Sequence, residues 1–427
     1  MEKVQLLYGK GTLEAEIPES RFAGVLTSDL NSFVPAKAPA ELVRDALENP
    51  VGSPRLSELS KGKNRVVILC SDHTRPVPSR LLIPALLREI RAGNPDADIT
   101  LLIATGCHRK PTEAELRDKF GDEIYENEKI AVHDCDDGEN LVRIGTLPSG
   151  GELIINRMAA ECDLLVSEGF IEPHFFAGFS GGRKSVLPGA ASRKTVVYNH
   201  NGAFIAHPHS RTGVLDGNPV HADMLYAALT AKLAFILNVV LNSAHEPLFA
   251  AAGDCERAHL AGCEFLSSKC RVTAPKADIV ISTNGGYPLD QNIYQSVKGM
   301  TAAEAAVKDG GVIIMLSRCA DGHGGESFYN TFKNSGDLSA LMAQFESTPP
   351  ADTVIDQWQS QIFARVLMKA PVIFVSDADD ETVRALHMLP AHSISKALAL
   401  ADEILKARGV ENGKILAIPD GVSVIVS

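Results

Sequence analysis

The chain has 427 residues, with 53 acidic and 41 basic side chains and a formal net charge of −12 at pH 7. Because this length exceeds what one hydrophobic core usually holds, we expect two domains. The acidic balance argues against a nucleic-acid partner and suits a protein that handles small molecules. An anionic substrate would then have to bind at a local group of positively charged residues.

The spacing of the cysteines and the length of the apolar segments indicate the cellular compartment. None of the eight cysteines belongs to a C-x-x-C pair or a zinc-ligand spacing, and several lie in apolar runs such as residues 66–70. A reducing cytoplasm fits this pattern. The first ten residues carry too short an apolar run for a signal peptide, and residues 233–241 are too few to span a bilayer. No membrane role is therefore implied.

Four segments share one pattern, in which a short β-rich apolar run ends in a loop of polar and ring-bearing residues. The runs are residues 65–70, 99–104, 163–167 and 278–282. Helical periodicity follows most of them, at residues 81–90, 112–120 and 301–308, with Glu304 placed for a capping box. This alternation predicts an α/β fold of two doubly wound, mostly parallel-sheet domains.

The pattern restarts near residues 273–276, which predicts a domain boundary there. We expect an N-terminal α/β domain of residues 1–273 plus 409–427, and a C-terminal α/β domain of residues 274–408 that closes on a substrate. Ligands of open α/β sheets sit outside the carboxyl ends of the strands, so the polar loops should converge on one crevice between the domains. Residues 415–418 and 422–426 are predicted to form a short hairpin.

Residues 172–185 combine His174, a glycine-rich loop and Lys184. Glycines such as Gly181 and Gly182 let the backbone approach a ligand, and the lysine offers a charge or a nucleophilic amine. The loop is close to the phosphate-binding pattern G-x-x-x-x-G-K-[ST], but Arg183 stands where that pattern requires glycine. A nucleotide hydrolase is therefore one alternative, and a plain glycine turn with a solvated Arg183–Lys184 pair is another.

His108 and His174 each follow a predicted strand. A racemising enzyme needs a proton acceptor on each face of a planar intermediate, and imidazole titrates near neutral pH, so the pair fits that chemistry. Packed or surface histidines are the alternative. Asp72 and Arg75 share a proline-stiffened turn, where a rigid arginine favours binding a carboxylate or phosphate and Asp72 could instead cap a helix.

His200, with His207 and His209, suggests a metal, yet no carboxylate or thiolate at ligand spacing accompanies them. Any metal would then need ligands from a cofactor. Further along, residues 287–299 pass from a turn into a helix with Tyr294 and Lys298 on one face; an amphipathic surface helix is the alternative. Trp358, the single tryptophan, could line a pocket or pack in the core.

Taken together, these motifs resemble the nickel-dependent lactate racemase family. The resemblance runs nearly from end to end of the chain and rests on long motifs, which are residues 71–78, 105–109, 174–189, 199–200, 284–299 and 356–358.

The resemblance implies a nickel pincer nucleotide, which is nickel pyridinium-3,5-bisthiocarboxylic acid mononucleotide, with its nickel held by two sulfurs and a ring carbon. By similarity, Lys184 would tether this cofactor covalently as a thioamide, and His200 would be the protein ligand of the nickel. Asp72, Gly181 and Gly182 would lie beside the cofactor. Cofactor-maturation enzymes would be the partners that load it.

The resemblance also implies an isomerase that interconverts D- and L-lactate. His108 and His174 would be its acid/base pair, one removing the hydroxyl proton as the Cα hydride moves to the pincer carbon. The remaining implied residues contact the substrate carboxylate and hydroxyl or shape the pocket, and they are Arg75, Gln295, Lys298, Tyr294 and Trp358. Racemisation or epimerisation of another 2-hydroxy acid, nucleotide hydrolysis and a non-catalytic carrier role stay open as alternatives.

Overall fold

A computed structural model describes residues 1–273 and 275–427. The strands are β1 (Glu2–Tyr8), β2 (Gly11–Ile17), β3 (Phe22–Val25), β4 (Arg65–Ser71), β5 (Asp98–Ala104), β6 (Lys129–Val132), β7 (Leu141–Thr146), β8 (Glu152–Asn156), β9 (Leu164–Phe170), β10 (Pro173–His174), β11 (Gly178–Phe179), β12 (Leu233–Leu241), β13 (Pro247–Gly253), β14 (Arg271–Val272), β15 (Ala277–Thr283), β16 (Val307–Leu316), β17 (Val372–Val375), β18 (Leu389–Ala391), β19 (Ile415–Ile418) and β20 (Ile425–Val426).

The helices are α1 (Pro39–Glu48), α2 (Leu56–Leu59), α3 (Ser79–Gly93), α4 (Glu113–Phe120), α5 (Asp122–Asn127), α6 (Arg157–Glu161), α7 (Arg193–Asn199), α8 (Gly202–Ala206), α9 (Pro219–Thr230), α10 (Arg257–Cys270), α11 (Ile293–Ala306), α12 (Glu326–Lys333), α13 (Leu338–Ser347), α14 (Gln357–Lys369), α15 (Asp380–Ala385) and α16 (Ile394–Ala407). Short 3₁₀ helices span Gly182–Ser185 and Pro350–Asp352. Within the described residues, no helix is both long enough and apolar enough to cross a bilayer.

The chain divides into two compact units. Unit A comprises Leu30–Ser268 and Pro350–Asp352, and unit B comprises Met1–Asp29, Lys269–Pro349 and Thr353–Ser427. Each unit is built around one six-stranded sheet. The predicted α/β architecture is therefore confirmed.

The sheet of unit A has the order β13-β12-β9-β4-β5-β6, and only the β12–β13 pair is antiparallel. Its central strands are continuous apolar runs; in β4, Val66 to Cys70 are all buried. Such runs are typical of parallel strands covered on both faces. The predicted strands at residues 65–70, 99–104 and 163–167 are all present, as β4, β5 and the first part of β9.

Two predicted helices of unit A are also present, as α3 and α4. The start of α4 is fixed by a reciprocal pair of hydrogen bonds. Thr112 Oγ1 accepts from the Glu115 backbone N–H at 3.3 Å, and Glu115 Oε2 accepts from the Thr112 backbone N–H at 2.7 Å. This capping box satisfies two backbone donors that an α-helix leaves unpaired.

The sheet of unit B is wholly parallel, in the order β18-β17-β16-β15-β19-β3. The strands β3 and β19 pair with each other, and residues of β1 and β2 pack in the core of this sheet. The predicted boundaries, residues 1–273 plus 409–427 against 274–408, differ from this division because both chain ends supply strands to the second sheet. Ala274, within the predicted boundary segment, lies outside the described residues.

Of two local predictions for unit B, the helix at residues 301–308 is present only as far as Ala306, and the C-terminal hairpin is wrong. The helix predicted at residues 301–308 is the second half of α11, which starts at Ile293 because the Asn292 side chain caps it by accepting from the Gln295 N–H at 2.9 Å. Glu304 forms no capping box and instead pairs with Arg365 at 2.7 Å. The hairpin predicted near the C-terminus is absent, since β19 and β20 pair in parallel with strands of different sheets.

Deleting residues 1–29 tests the division into units. Without β3, β19 becomes an edge strand with unpaired backbone groups, and the core of unit B loses the buried side chains of β1 and β2. We expect amide hydrogen exchange to accelerate in β19 and to stay slow in β4. Faster exchange in β4 with β19 still protected would favour the boundaries predicted from the sequence.

Candidate functional site

Three of the predicted site residues follow neighbouring parallel strands of unit A. Asp72 follows β4, His108 follows β5 and His174 follows β9, and these strands lie side by side in the order β9-β4-β5. Because parallel strands end at the same edge of a sheet, their loops share that edge. The fourth predicted strand, β15, belongs to the sheet of unit B.

Asp72 is the buried centre of a small hydrogen-bond network. One carboxylate oxygen, Oδ2, accepts from His108 Nδ1 at 2.7 Å. The other, Oδ1, accepts from the backbone N–H and the hydroxyl of Thr74, at 2.9 and 2.5 Å. Arg75 Nη1 in turn donates to Thr74 Oγ1 at 3.0 Å. Thr74, which the sequence did not single out, thus joins Arg75 to the Asp72–His108 pair.

This network fixes the tautomer of His108. Burial alone would raise the pKa of Asp72, but the hydrogen bonds from His108 and Thr74 outweigh it and lower the pKa to about 2. An ionised carboxylate only accepts hydrogen bonds, so the proton of a neutral His108 is on Nδ1 and the lone pair is on Nε2. The His108 side chain keeps 44% of its surface exposed.

His174 has a different arrangement. The backbone N–H of Ala177 points at its Nδ1 at 3.2 Å. Its Nε2 lies 3.2 Å from Lys184 Nζ, so both ring nitrogens face donor groups when Lys184 is an ammonium. The ring stacks on Phe175 with centroids 5.1 Å apart and meets the edge of Phe176 at 4.5 Å. The structure therefore brings together His174 and Lys184, two residues predicted to act side by side.

His200 is suited to bind a metal ion. It ends α7, is 4% exposed, and its Nδ1 donates to the Val196 carbonyl at 3.0 Å, which leaves the lone pair on Nε2. Burial, followed by the positive charge of Lys184, lowers the pKa of His200 to about 3, so the ring stays neutral. A neutral imidazole anchored through its other nitrogen to a carbonyl is the usual form of a histidine ligand. His200 also meets Phe176, the ring that His174 contacts, with centroids 5.3 Å apart.

The glycines of the loop are in positions that only glycine adopts readily. Gly181 and Gly182 have φ of +78° and +51°, and a Cβ on Gly182 would lie 2.9 Å from the His259 ring. The backbone N–H of Gly182 donates to Asn238 Oδ1 at 2.7 Å. These contacts give the two glycines a role in the turn, and their contact with a cofactor stays a prediction.

Arg183 differs from the solvated side chain considered as an alternative. It is 1% exposed and forms hydrogen bonds with two histidines and with backbone carbonyls. The sequence signal was its position, where a phosphate-binding loop would have glycine. The partners His221 and His259 come from α9 and α10, far along the chain, and could not be inferred from local patterns.

The predicted residues of the second half lie in unit B, on two helices that pack together. Tyr294, Gln295 and Lys298 are on α11, and Trp358 is half-buried on α14. Tyr294 Oη donates to Asp356 Oδ1 at 2.9 Å, next to the start of α14. Burial and then the charge of Asp356 raise the pKa of Tyr294 well above its usual value, so its hydroxyl stays protonated. The predicted placement of Tyr294 and Lys298 on one helix is confirmed.

A separate cluster of acidic residues and a cysteine has the spacing of a metal site, but its carboxylates already form ion pairs. Ligand atoms of Asp134, Cys135 and Asp136 lie within 4.8 Å of one another. Asp134 pairs with Lys110 at 3.0 Å and Asp136 with Arg193 at 2.6 Å. Because these cations already neutralise both carboxylates, the cluster needs no metal ion to balance its charge.

Two family models match the chain. The first, described as the lactate racemase N-terminal domain, matches residues 8–213, and the second, the lactate racemase C-terminal domain, matches residues 272–426. A protein named lactate racemase from Thermoanaerobacterium thermosaccharolyticum is 54% identical over 100% of this chain and 99% of its own. A second, from Lactiplantibacillus plantarum, is 51% identical over 100% of both chains.

Solved structures agree with these matches. The lactate racemase apoprotein from Thermoanaerobacterium thermosaccharolyticum superimposes with a TM-score of 0.95, at 53% identity over 100% of both chains. A protein from Thermotoga maritima shares the fold, with a TM-score of 0.60 at 19% identity over 91% of this chain and 97% of its own.

Replacing Asp72 with Asn tests the strength of its network. Since the folded-state pKa lies below the unfolded one, Asp72 stabilises the fold above about pH 4 and loses this contribution as the pH falls towards 2. The contribution is on the order of 2 kcal/mol. The unfolding free energy, measured with urea between pH 2 and 5, should depend less steeply on pH in Asp72→Asn than in the wild type.

The control for this measurement is Asp118→Asn, because the Asp118 side chain is 94% exposed. It should reproduce the wild-type pH dependence. Equal slopes in all three proteins would mean that Asp72 has no depressed pKa.

Proposed function

The chain belongs to the lactate racemase family, and we propose that it is an isomerase that interconverts D- and L-lactate with a nickel pincer nucleotide tethered to Lys184. The observation that carries this proposal is a histidine base prepared by a buried carboxylate, together with a second histidine beside Lys184. His108 presents its lone pair on Nε2 because Asp72 accepts the hydrogen bond from Nδ1, and His174 Nε2 lies 3.2 Å from Lys184 Nζ. A racemase needs one group that accepts a proton and one that donates it.

In the proposed reaction His108 is the base for the substrate hydroxyl. Its Nε2 takes the proton, and the ionised Asp72 on Nδ1 stabilises the imidazolium that forms. This is the role a buried aspartate plays behind a catalytic histidine in general. The backbone N–H and the hydroxyl of Thr74 donate to the other carboxylate oxygen of Asp72 and hold it in place.

His174 is the proposed donor on the other side of the reaction. As an imidazolium, which forms when the ring takes a proton from solvent before the substrate binds, His174 can give its Nε2 proton to the oxygen of the planar ketone as that oxygen gains charge. The ring is then left as a neutral imidazole. The 3.2 Å contact from the Ala177 N–H is at the long end of the hydrogen-bond range and would be given up when Nδ1 is protonated.

The residues present fit the proposed cofactor. His200 offers a neutral, shielded imidazole as the single protein ligand that a square-planar nickel needs when three donors come from the pincer. Lys184 offers the amine for the covalent tether. When bound, the nucleotide would accept and return the hydrogen on the substrate Cα as a hydride, a step that histidine alone cannot perform because that hydrogen is a very weak acid.

The proposed substrate is a small 2-hydroxy acid. Arg75 is exposed beside the Asp72–His108 pair and is the proposed contact for the substrate carboxylate. Gln295 and Lys298 are proposed to contact the carboxylate and hydroxyl, with Tyr294 and Trp358 shaping the pocket. We further propose a cytoplasmic location, since all eight cysteines are free thiols, and loading by cofactor-maturation enzymes.

Lys184→Ala tests the tether. The intact mass of wild-type protein produced together with maturation enzymes should show a covalent adduct, whereas Lys184→Ala should show neither adduct nor racemase activity. Lys194→Ala is the matched control, because Lys194 is exposed and pairs with Glu152; it should retain both. An unmodified wild-type protein with full activity would contradict the proposal.

His108→Gln and His174→Gln test the proton chemistry. Each should lower kcat by about 10²–10⁴, the range typical of acid/base residues, and still carry the adduct on Lys184. A chiral assay of lactate gives the rate, and intact mass gives the loading. His392→Gln, at a residue 70% exposed, should behave as the wild type. Wild-type kcat in either site variant would remove that residue from the mechanism.

A further inference from the structure

Glu168 is a carboxylic acid at a core position of unit A. It lies in β9 between Val166 and Phe170, and residues two apart in a strand face the same side of a sheet. Both of these neighbours belong to the apolar core on that side. Glu168 is 1% exposed, and this burial raises the pKa of its carboxyl, which favours the uncharged form. A carboxyl at this position thus interrupts the apolar face of the strand.

The carboxyl of Glu168 is bonded to both ends of one loop. The β4–α3 loop, residues 72–78, leads from the strand to the helix. At its end, the Ser79 hydroxyl donates to Glu168 Oε1 at 2.6 Å. At its start, the backbone N–H of Ser71 donates to the same carboxyl. One side chain therefore connects the last residue of the strand with the first residue of the helix.

The β4–α3 loop carries two of the predicted site residues. Asp72 accepts from His108 Nδ1 at 2.7 Å, and Arg75 is exposed beside that pair. Lys119 contacts the middle of the loop, with its Nζ donating to the Arg75 carbonyl at 3.4 Å. The charge of Lys119 also favours the ionised form of Glu168, but burial acts more strongly in the opposite direction. The loop is thus held at its two ends by Glu168 and in its middle by Lys119.

Stability of the core does not explain this carboxyl. Glu168 Oε2 is buried and has no hydrogen-bond partner among the residues that the structure describes. A buried carboxyl with one unpaired oxygen costs free energy, and an apolar side chain of similar size would avoid that cost. The bonds of Glu168 therefore account for the position of the loop better than for the stability of the fold.

We propose that Glu168 is a positioning residue that fixes both ends of the β4–α3 loop and thereby sets the place of Asp72 and Arg75. The catalytic meaning of this role rests on the proposed function, whereas the anchoring itself concerns the protein alone. Asp72 directly follows Ser71, so a shift at that end of the loop changes the contacts of the Asp72 carboxylate. A displacement of about 1 Å in a catalytic contact is enough to cost about 10²-fold in rate.

The first test removes the carboxyl in protein loaded with cofactor. Glu168→Met has a similar volume but no oxygen that can accept a hydrogen bond. It should carry the adduct on Lys184, keep at least the wild-type unfolding free energy in urea, and lose about 10²-fold in kcat/KM for lactate. A residue with a merely structural role would give the reverse pattern, with lower stability and wild-type kcat/KM in the folded protein.

Glu168→Gln is the conservative variant, because its side-chain carbonyl can still accept from Ser79. It should keep a kcat/KM close to that of the wild type. Glu161→Met is the matched control, since the Glu161 side chain is 51% exposed, and it should behave as the wild type. Wild-type kcat/KM in loaded Glu168→Met, or an equal loss in Glu168→Gln, would overturn the proposal.

Ser79→Ala removes the same hydrogen bond from the other side. It should also lower kcat/KM, and the double variant should lose no more than Glu168→Met alone. Losses that multiply would show that the two side chains act independently and would overturn the proposal. If Glu168→Met does not fold, Ser79→Ala decides by itself, since wild-type kcat/KM in that variant would likewise contradict the role of Glu168.

The second test needs no cofactor. The backbone N–H of Thr74, inside the β4–α3 loop, donates to Asp72 Oδ1 at 2.9 Å. Its amide hydrogen exchange should be faster in Glu168→Met than in the wild type and Glu168→Gln, with exchange in β5 unchanged. Unchanged exchange at Thr74 would overturn the anchoring. Wild-type protein without an adduct on Lys184 would instead overturn the proposed function and leave the exchange result valid.

Discussion

The chemistry of the site depends on which partner faces Nδ1 of each histidine. At His108 the partner is the ionised Asp72, and at His200 it is the Val196 carbonyl; both can only accept. At His174, Nδ1 faces the Ala177 N–H and Nε2 faces Lys184 Nζ, so both ring nitrogens face donor groups. His108 and His200 therefore present lone pairs at Nε2, whereas the position of the proton on His174 depends on the charge of Lys184.

The Asp72–His108 pair lies where two neighbouring strands of one sheet end. Asp72 and His108 leave neighbouring strands whose register is continuous over seven residues, from Arg65↔Asp98 to Ser71↔Ala104. Their relative position is therefore determined by backbone pairing rather than by side-chain packing. A short, strong contact of 2.7 Å between them follows from that register.

The sequence predicted those positions of the candidate residues that depend on local patterns. An apolar run followed by a polar loop located Asp72, His108 and His174, and helical spacing located Tyr294 and Lys298. The same reasoning could not find Arg183's partners, since His221 and His259 lie 38 and 76 residues further along the chain. Burial of a charged residue is decided by tertiary contacts of this kind, which leave no periodic signal in the sequence.

The assignment of the chain ends to a unit differs from the predicted one for a related reason. In β1, alternating buried and exposed residues mark a strand, but nothing in that alternation says which core it packs against. The parallel pairing of β3 with β19 connects residues almost 400 positions apart, and parallel strands have no connecting turn that would reveal their neighbour. Two stretches predicted separately as helical, the end of residues 287–299 and residues 301–308, fall largely in one helix, α11, which Asn292 caps.

The near-match of residues 178–185 to a phosphate-binding loop has a structural explanation. Such a loop binds phosphate through backbone N–H groups that point outwards, and it needs glycine to do so. Here the N–H of Gly182 is used by Asn238, and the residue at the mismatched position points a guanidinium into the protein. The Gly182 N–H and the side chain of Arg183 are thus already used within the protein, which weakens the physical basis of the nucleotide-hydrolase alternative.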